Sequence, residues 1–107
     1  MGIGDMNIPK PGTPEWLTLP VWYRAGVNDI GKKETGNNAG AYIEQIIKQG
    51  KCGHIHDPWC AIAVNAWLER NGIRGSRSPS SQSFRSDKNF VELAGPALGA
   101  IVVFWRN

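Results

Sequence analysis

The sequence predicts an α+β fold, an amino-terminal group of helices followed by the opening of a β-sheet. Ala39, Tyr42, Ile43, Ile46 and Ile47 recur at i, i+3, i+4, i+7 and i+8, the spacing of one apolar helical face. Residues 58–69 form a second helical pattern that is apolar on nearly every side, which predicts a helix buried in the core. Ala100-Ile101-Val102-Val103-Phe104-Trp105 is a continuous run of strand-forming residues. At 107 residues the chain suffices for one small domain with a modest core.

Each element has a local reason. Residues 1–12 are rich in Gly and Pro and predict a loosely held arm ahead of a domain over 13–107. Thr13-Pro14-Glu15 reads as a helix start, with a capping hydroxyl, Pro at the first helical position and an acid in the first turn. Pro20 interrupts the apolar pattern of Trp16, Leu17 and Leu19, so either a kink or a new helix carrying Val21, Trp22 and Ala25 is expected, ended by Gly31. Residues 32–38 are a polar loop in which Asn37 or Asn38 is a suitable cap for the 39–47 stripe, and Gly50 is its stop. Asp57 then caps the central helix, Pro58 takes its first position and Cys60 its third. Asn65 and Glu69 are its polar positions, four apart on one face, and Asn71-Gly72 closes it. A Ser/Arg/Gly loop, a short helical turn within 82–90 and a turn at Pro96-Ala97-Leu98-Gly99 lead to the strand. One strand cannot satisfy its own backbone, so either weak strands within the chain pair with it or, the preferred expectation, the sequence reads as the first part of a larger α+β fold.

Net charge is +3 and the sequence contains five Trp. The cations at Arg70, Arg74, Arg77, Arg85 and Lys88 are compatible with a solvated loop or an anionic polymer, but no nucleic-acid motif accompanies them. No apolar run reaches membrane-spanning length. Residues 1–12 lack the pattern of a Sec signal. Synthesis in the cytoplasm, with release or non-Sec export to any extracytoplasmic site of action, is the expectation.

Cys60 carries the most chemistry. A thiol in the first turn of a helix sits in the positive end of the helix dipole, which favours the nucleophilic thiolate. A small buried apolar residue is the alternative. Cys52, His54, His56 and Cys60 are all metal-ligating types within nine residues, but they lack a chelating pair on a regular element, so neither metal nor cofactor is expected. His54 or His56 could serve Cys60 as a base, or both could be an exposed loop pair. Glu34 and Asp57 are the candidate carboxylates, with nothing in the sequence linking them as an acid–base pair. Whether Cys52 pairs with Cys60 is open.

The segment Asp57-Pro58-Trp59-Cys60-Ala61-Ile62-Ala63-Val64-Asn65-Ala66-Trp67-Leu68-Glu69 resembles the NlpC-type and CHAP-type papain-like cell-wall hydrolases, in particular a phage- and bacterium-encoded branch with P-W-C-A-x-x-V-N-x-x-L-E and a subsequent Gly-Ile pair, here Gly72-Ile73. Pro14-Glu15-Trp16-Leu17, the Gly31-Lys32-Lys33-Glu34 loop with its asparagines, the Ser-rich loop to Ser83-Phe84 and the terminal strand extend the likeness over most of the chain. The resemblance implies a papain-like fold and cleavage of peptide amides in peptidoglycan through a Cys60 thioester. It marks Trp59, Glu34 and Ser83 as candidate substrate contacts. The family's base is a His on a strand beyond the one seen here, and no His succeeds His56. The resemblance leaves three expectations: a base on a further C-terminal segment, a wall-binding or interaction module without catalysis, or His54 or His56, with His56 preferred, as base in a rearranged site.

Overall fold

The computed structural model describes residues 8–95 and 97–103. In order they form a 3-10 helix (Pro14–Thr18), α1 (Val21–Asn28), α2 (Ala41–Gly50), α3 (Cys60–Glu69) and the single turn α4 (Ser83–Ser86). No sheet occurs among these residues, and the one β contact is an isolated bridge between Gly36 and Ala39. The α+β papain-like expectation is therefore corrected: the described chain is a helical assembly. The predicted strand explains the error. Residues 101–103 belong to no strand, and Ile101 and Val103 pack as apolar anchors on the core. Phe104 and Trp105 lie outside the described residues. Strand-forming composition marks a segment that prefers extended backbone, but a strand exists only with a partner.

The start of the chain obeys its local signals. Thr13 Oγ accepts the Trp16 N–H at 3.3 Å and donates to the Lys10 carbonyl at 2.7 Å, and Pro14 stands first in the helix. Trp16 and Leu19 are buried. Pro20 resolves the ambiguity in favour of a new helix, α1, which packs on α3. Most of the expected arm, residues 1–7, lies outside the described residues.

The α2–α3 pair is the centre of the molecule. Ile43 and Ile46 of α2 meet Ile62, Ala63 and Ala66 of α3, with Tyr42, Ile47, Cys52, Trp59 and Trp67 around them. Each fully buried Ile contributes about 2 kcal/mol relative to exposure. The glycine expected to stop α2 has a different task. A Cβ on Gly50 would lie 2.9 Å from the Ile62 carbonyl oxygen and 3.1 Å from the Ala66 nitrogen. Gly50 is thus the point at which two helix backbones touch, and Lys51 takes the left-handed position after it (φ 59°). Nor do Asn37 and Asn38 cap α2, whose N-cap is Gly40 (φ 118°). A Cβ there would strike Thr35 Oγ1 at 2.2 Å.

The other flank of α3 carries a second cluster. Ala61, Leu68 and Phe84 pack with Trp22, Val64, Ile73, Phe90, Ile101 and Val103, and the Trp22 indole donates to the Gly99 carbonyl at 2.6 Å. α3 is consequently enclosed on both sides, as its all-round apolar pattern predicts. Its end is a Schellman motif: Ile73 N–H bonds the Leu68 carbonyl, Gly72 N–H bonds the Glu69 carbonyl, and Gly72 sits at φ 77°. No helix of the described residues is long and apolar enough to cross a membrane.

Candidate functional site

The expected register at the start of α3 is corrected by two residues. Trp59 is the N-cap (φ −105°, ψ 6°), without a side-chain cap, and Cys60 is the first helical residue. Asp57 turns the other way: its Oδ2 accepts the His54 N–H at 2.8 Å and lies 3.7 Å from the His54 ring. His56 meanwhile adopts φ 79°. The chain turns sharply before it can begin a helix at Pro58.

Cys60 is exposed, Cys52 is half-buried, and both are free thiols. The N–H groups at the opening of α3 have no intrahelical acceptor, and the first backbone bond across the turn runs from Ala63 N–H to the Trp59 carbonyl at 2.9 Å. Cys60 therefore combines access with the positive pole of a helix. Cys52 is its opposite. It packs against the α2–α3 core, and burial, then the nearby Glu69 charge, push its thiol up.

Beside Cys60, Trp59 meets Tyr42 edge to face, ring centres 6.0 Å apart. The Tyr42 hydroxyl donates to Asp29 Oδ2 at 2.8 Å, where the Trp67 indole donates at 3.1 Å and Arg70 forms a two-pronged pair at 2.7 and 3.2 Å. Burial is the largest single influence on Asp29 and favours its neutral form. The donors Arg70, Tyr42 and Trp67, with the Arg70 charge, outweigh it and hold the carboxyl below the ordinary range. Burial and then Asp29 push the Tyr42 phenol up to about 12.

A clasp between two loops brings Glu34 and His56 together. Glu34 accepts the Asn38 N–H. His56 N–H donates to the Asn38 carbonyl at 2.9 Å, and Asn38 Nδ2 donates back to the His56 carbonyl at 3.2 Å. His56 Nδ1 lies 2.5 Å from the Asn37 carbonyl oxygen. Asn38 (φ 51°) and His56 (φ 79°) are both left-handed. Among the described residues no hydrogen bond or ion pair joins Cys60 to His54 or His56.

Ser83 belongs to another network. Its hydroxyl shares a hydrogen bond with Ser76 Oγ at 2.6 Å and donates to the Ser80 carbonyl at 2.6 Å. Asn65, expected on a polar face, is wholly buried. Its Nδ2 donates to the carbonyls of Ala61 (2.9 Å) and Ser78 (3.1 Å), and its Oδ1 accepts the Arg77 N–H at 2.9 Å. Glu69, one turn on, accepts from Gly75 N–H and Arg77 and pairs with Lys51 at 3.5 Å. Arg77 above all, with Gly75 and Lys51, lowers its carboxyl to about 2 against the opposing effect of burial. Asn65 and Glu69 do share a face, but the 75–78 loop covers it. The same pairs tie down Arg70 and Arg77 of the basic region.

Of the residues marked from sequence, Trp59 and Cys60 adjoin, Glu34 and His56 meet through Asn38, and Ser83, first in α4, bonds Ser76 of the loop held by Asn65. Sequence alone does not mark Asn37 and Asp29 as site residues: a backbone acceptor has no sequence signature, and Asp29 stands out only as a charged residue at the end of α1. Among the described residues no three of His, Cys, Asp and Glu assemble as a metal-ligand set. An open apolar groove of about 660 Å³ lies between Trp22, Leu68, Phe84, Phe90 and Ile101, and Cys60 is not in its lining. Comparison with family models, with curated proteins and with solved structures finds no match.

Proposed function

We propose that this chain is a cysteine hydrolase of cell-wall peptidoglycan, acting at the wall with Cys60 as nucleophile on a peptide amide. The observation that carries this reading is an accessible free thiol on the first residue of a helix whose body is buried on both flanks. The helix holds the sulfur in place beside N–H groups that have no intrahelical acceptor. The W-C-A-x-x-V-N likeness supports the choice of substrate. In the proposed reaction the thiol proton passes to a base and sulfur bonds the amide carbon. The oxyanion lies against N–H donors of the first turn. As the C–N bond breaks, the base returns its proton to the leaving amine, and water then hydrolyses the thioester. His56 is the imidazole offered as base. Trp59 and Glu34 are offered as substrate contacts, and Ser83 is offered as one only through the loop it closes.

Release of soluble peptide from purified peptidoglycan tests this. Cleavage by the chain that is lost in Cys60→Ser supports it. Cleavage unchanged in Cys60→Ser overturns it, as does none with or without a His-bearing C-terminal segment. Cleavage that appears only when such a segment is added keeps Cys60 and removes His56. A second reading, a wall-binding or interaction module, is favoured by the open groove and by the exposure of Val91, Leu93 and Val102 near it. Under that reading Cys60→Ser leaves binding to insoluble peptidoglycan unchanged and no soluble peptide is released.

A further inference from the structure

We infer that the 34–38 loop is a tautomer lock on His56, making Asn37 and Asn38 positioning residues for the imidazole. A carbonyl oxygen can only accept a hydrogen bond, so a ring nitrogen 2.5 Å from the Asn37 oxygen must carry the proton. The neutral ring is then protonated at Nδ1 and presents Nε2 as its basic nitrogen. Free histidine in water favours the reverse arrangement. The ring's backbone is fixed from both sides, since Asn38 accepts the His56 N–H and donates to the His56 carbonyl. Glu34 in turn holds the Asn38 backbone. Two non-glycine residues in left-handed conformation cost about 1–2 kcal/mol each, and the clasp over-determines both. His54 is the contrast: its ring is almost wholly exposed, with the Asp57 carboxylate 3.7 Å from Nδ1.

The lock rests on the cysteine-hydrolase reading for its use. When Nε2 takes the thiol proton, the ring becomes an imidazolium and keeps its Nδ1–H on the Asn37 oxygen, a bond that charge strengthens. When Nε2 returns that proton to the leaving amine, the starting tautomer is restored, so no proton rearrangement is needed between turnovers.

Long-range proton–nitrogen correlation NMR on the full chain with labelled histidine, at pH 9 where an imidazole is neutral, tests the lock directly. His54→Ala assigns the signals. His56 should show a protonated Nδ1 and a bare Nε2, and His54 the mixture of free histidine. A His56 that shows the free mixture, or a protonated Nε2, overturns the lock. Asn38→Gly keeps the left-handed backbone and removes the side-chain tether. It should move His56 toward the free mixture and slow peptide release several-fold in kcat with KM unchanged. A tautomer unmoved by this change removes Asn38 from the lock. If the lock is found and peptidoglycan is not cleaved with or without a His-bearing C-terminal segment, the hydrolase reading fails by itself. If cleavage occurs with His56 in the free mixture, the lock fails by itself.

Discussion

Gly75→Ala should damage this protein far more than a surface loop substitution does, and only because of Asn65. A Cβ on Gly75 would lie 2.0 Å from Asn65 Oδ1, 3.0 Å from its Cγ and 3.3 Å from its Cα. Gly75 is not at positive φ, so alanine fits the backbone and, through the unfolded chain, would alone stabilise by about 0.4–1 kcal/mol. The collision reverses this. Either the carboxamide swings away from Arg77 N–H, Ser78 C=O and Ala61 C=O, or the loop retreats from it. Three hydrogen bonds at about 1 kcal/mol each, plus a buried group left unpaired, give a net loss of about 2–4 kcal/mol. For a domain near 100 residues that is a fall in Tm of roughly 10–25 °C. Asn65→Ala loses the same bonds and should cost a similar amount. In the double variant the two closest clashing atoms are gone, so Gly75→Ala should be near neutral there. The coupling energy is then about 2–4 kcal/mol, against at most ~0.5 kcal/mol for independent sites. Urea titration monitored by tryptophan fluorescence measures all four corners of the cycle. Penalties that simply add, or a Gly75→Ala cost under ~1 kcal/mol, refute the reasoning.

Other perturbations read different joints. Gly50→Ala, which would gain up to about 1 kcal/mol from helix propensity on an open surface, should instead destabilise by about 2 kcal/mol in urea titration, because the atoms it meets are backbone and cannot move aside. Glu69→Gln tests the acid limb. A carboxylate lowered to about 2 contributes stability that is present above its ordinary value near 4.5 and is lost as pH falls toward 2. The variant should melt roughly 5 °C lower near pH 6, with the gap closing through that window in thermal scans. Asp29→Asn should bring the Tyr42 phenol only part of the way down from about 12, since burial, the larger cause, stays, read by ultraviolet titration, and cost about 2 kcal/mol through the broken Arg70 pair.

The periodic parts of the fold are legible in the chain because they obey a single local rule. The α2 stripe from Tyr42 onward and the Asn71-Gly72 close of α3 are set by neighbours within two turns and stand where pattern puts them; Ala39, the first residue of the stripe, lies before the helix, in the bridge with Gly36. The start of α3 is not legible, because Asp57 has two acceptor roles in reach and His54 N–H wins over a helix cap. The run at 100–105 prefers extended backbone in any context, and composition cannot say whether a partner strand is present. Asn65 is visible as a polar residue in the middle of an apolar helix, but the loop that makes its burial tolerable is ten residues away. Of the candidate site, Cys60 is found to within two helical positions, while the Asn37 carbonyl that holds His56 leaves no trace in residue type or spacing.

The double enclosure of α3 has a consequence for how the molecule breathes. Amides in its middle, between the Ile43–Ile62 cluster and the Leu68–Phe84 cluster, can exchange with solvent only when the whole domain opens. That of Cys60, on an exposed residue, has no helical acceptor to break and should exchange from the native state. One ten-residue helix thus spans the full range of local stability, and its thiol lies at the end where a ligand can be met without any of the core letting go.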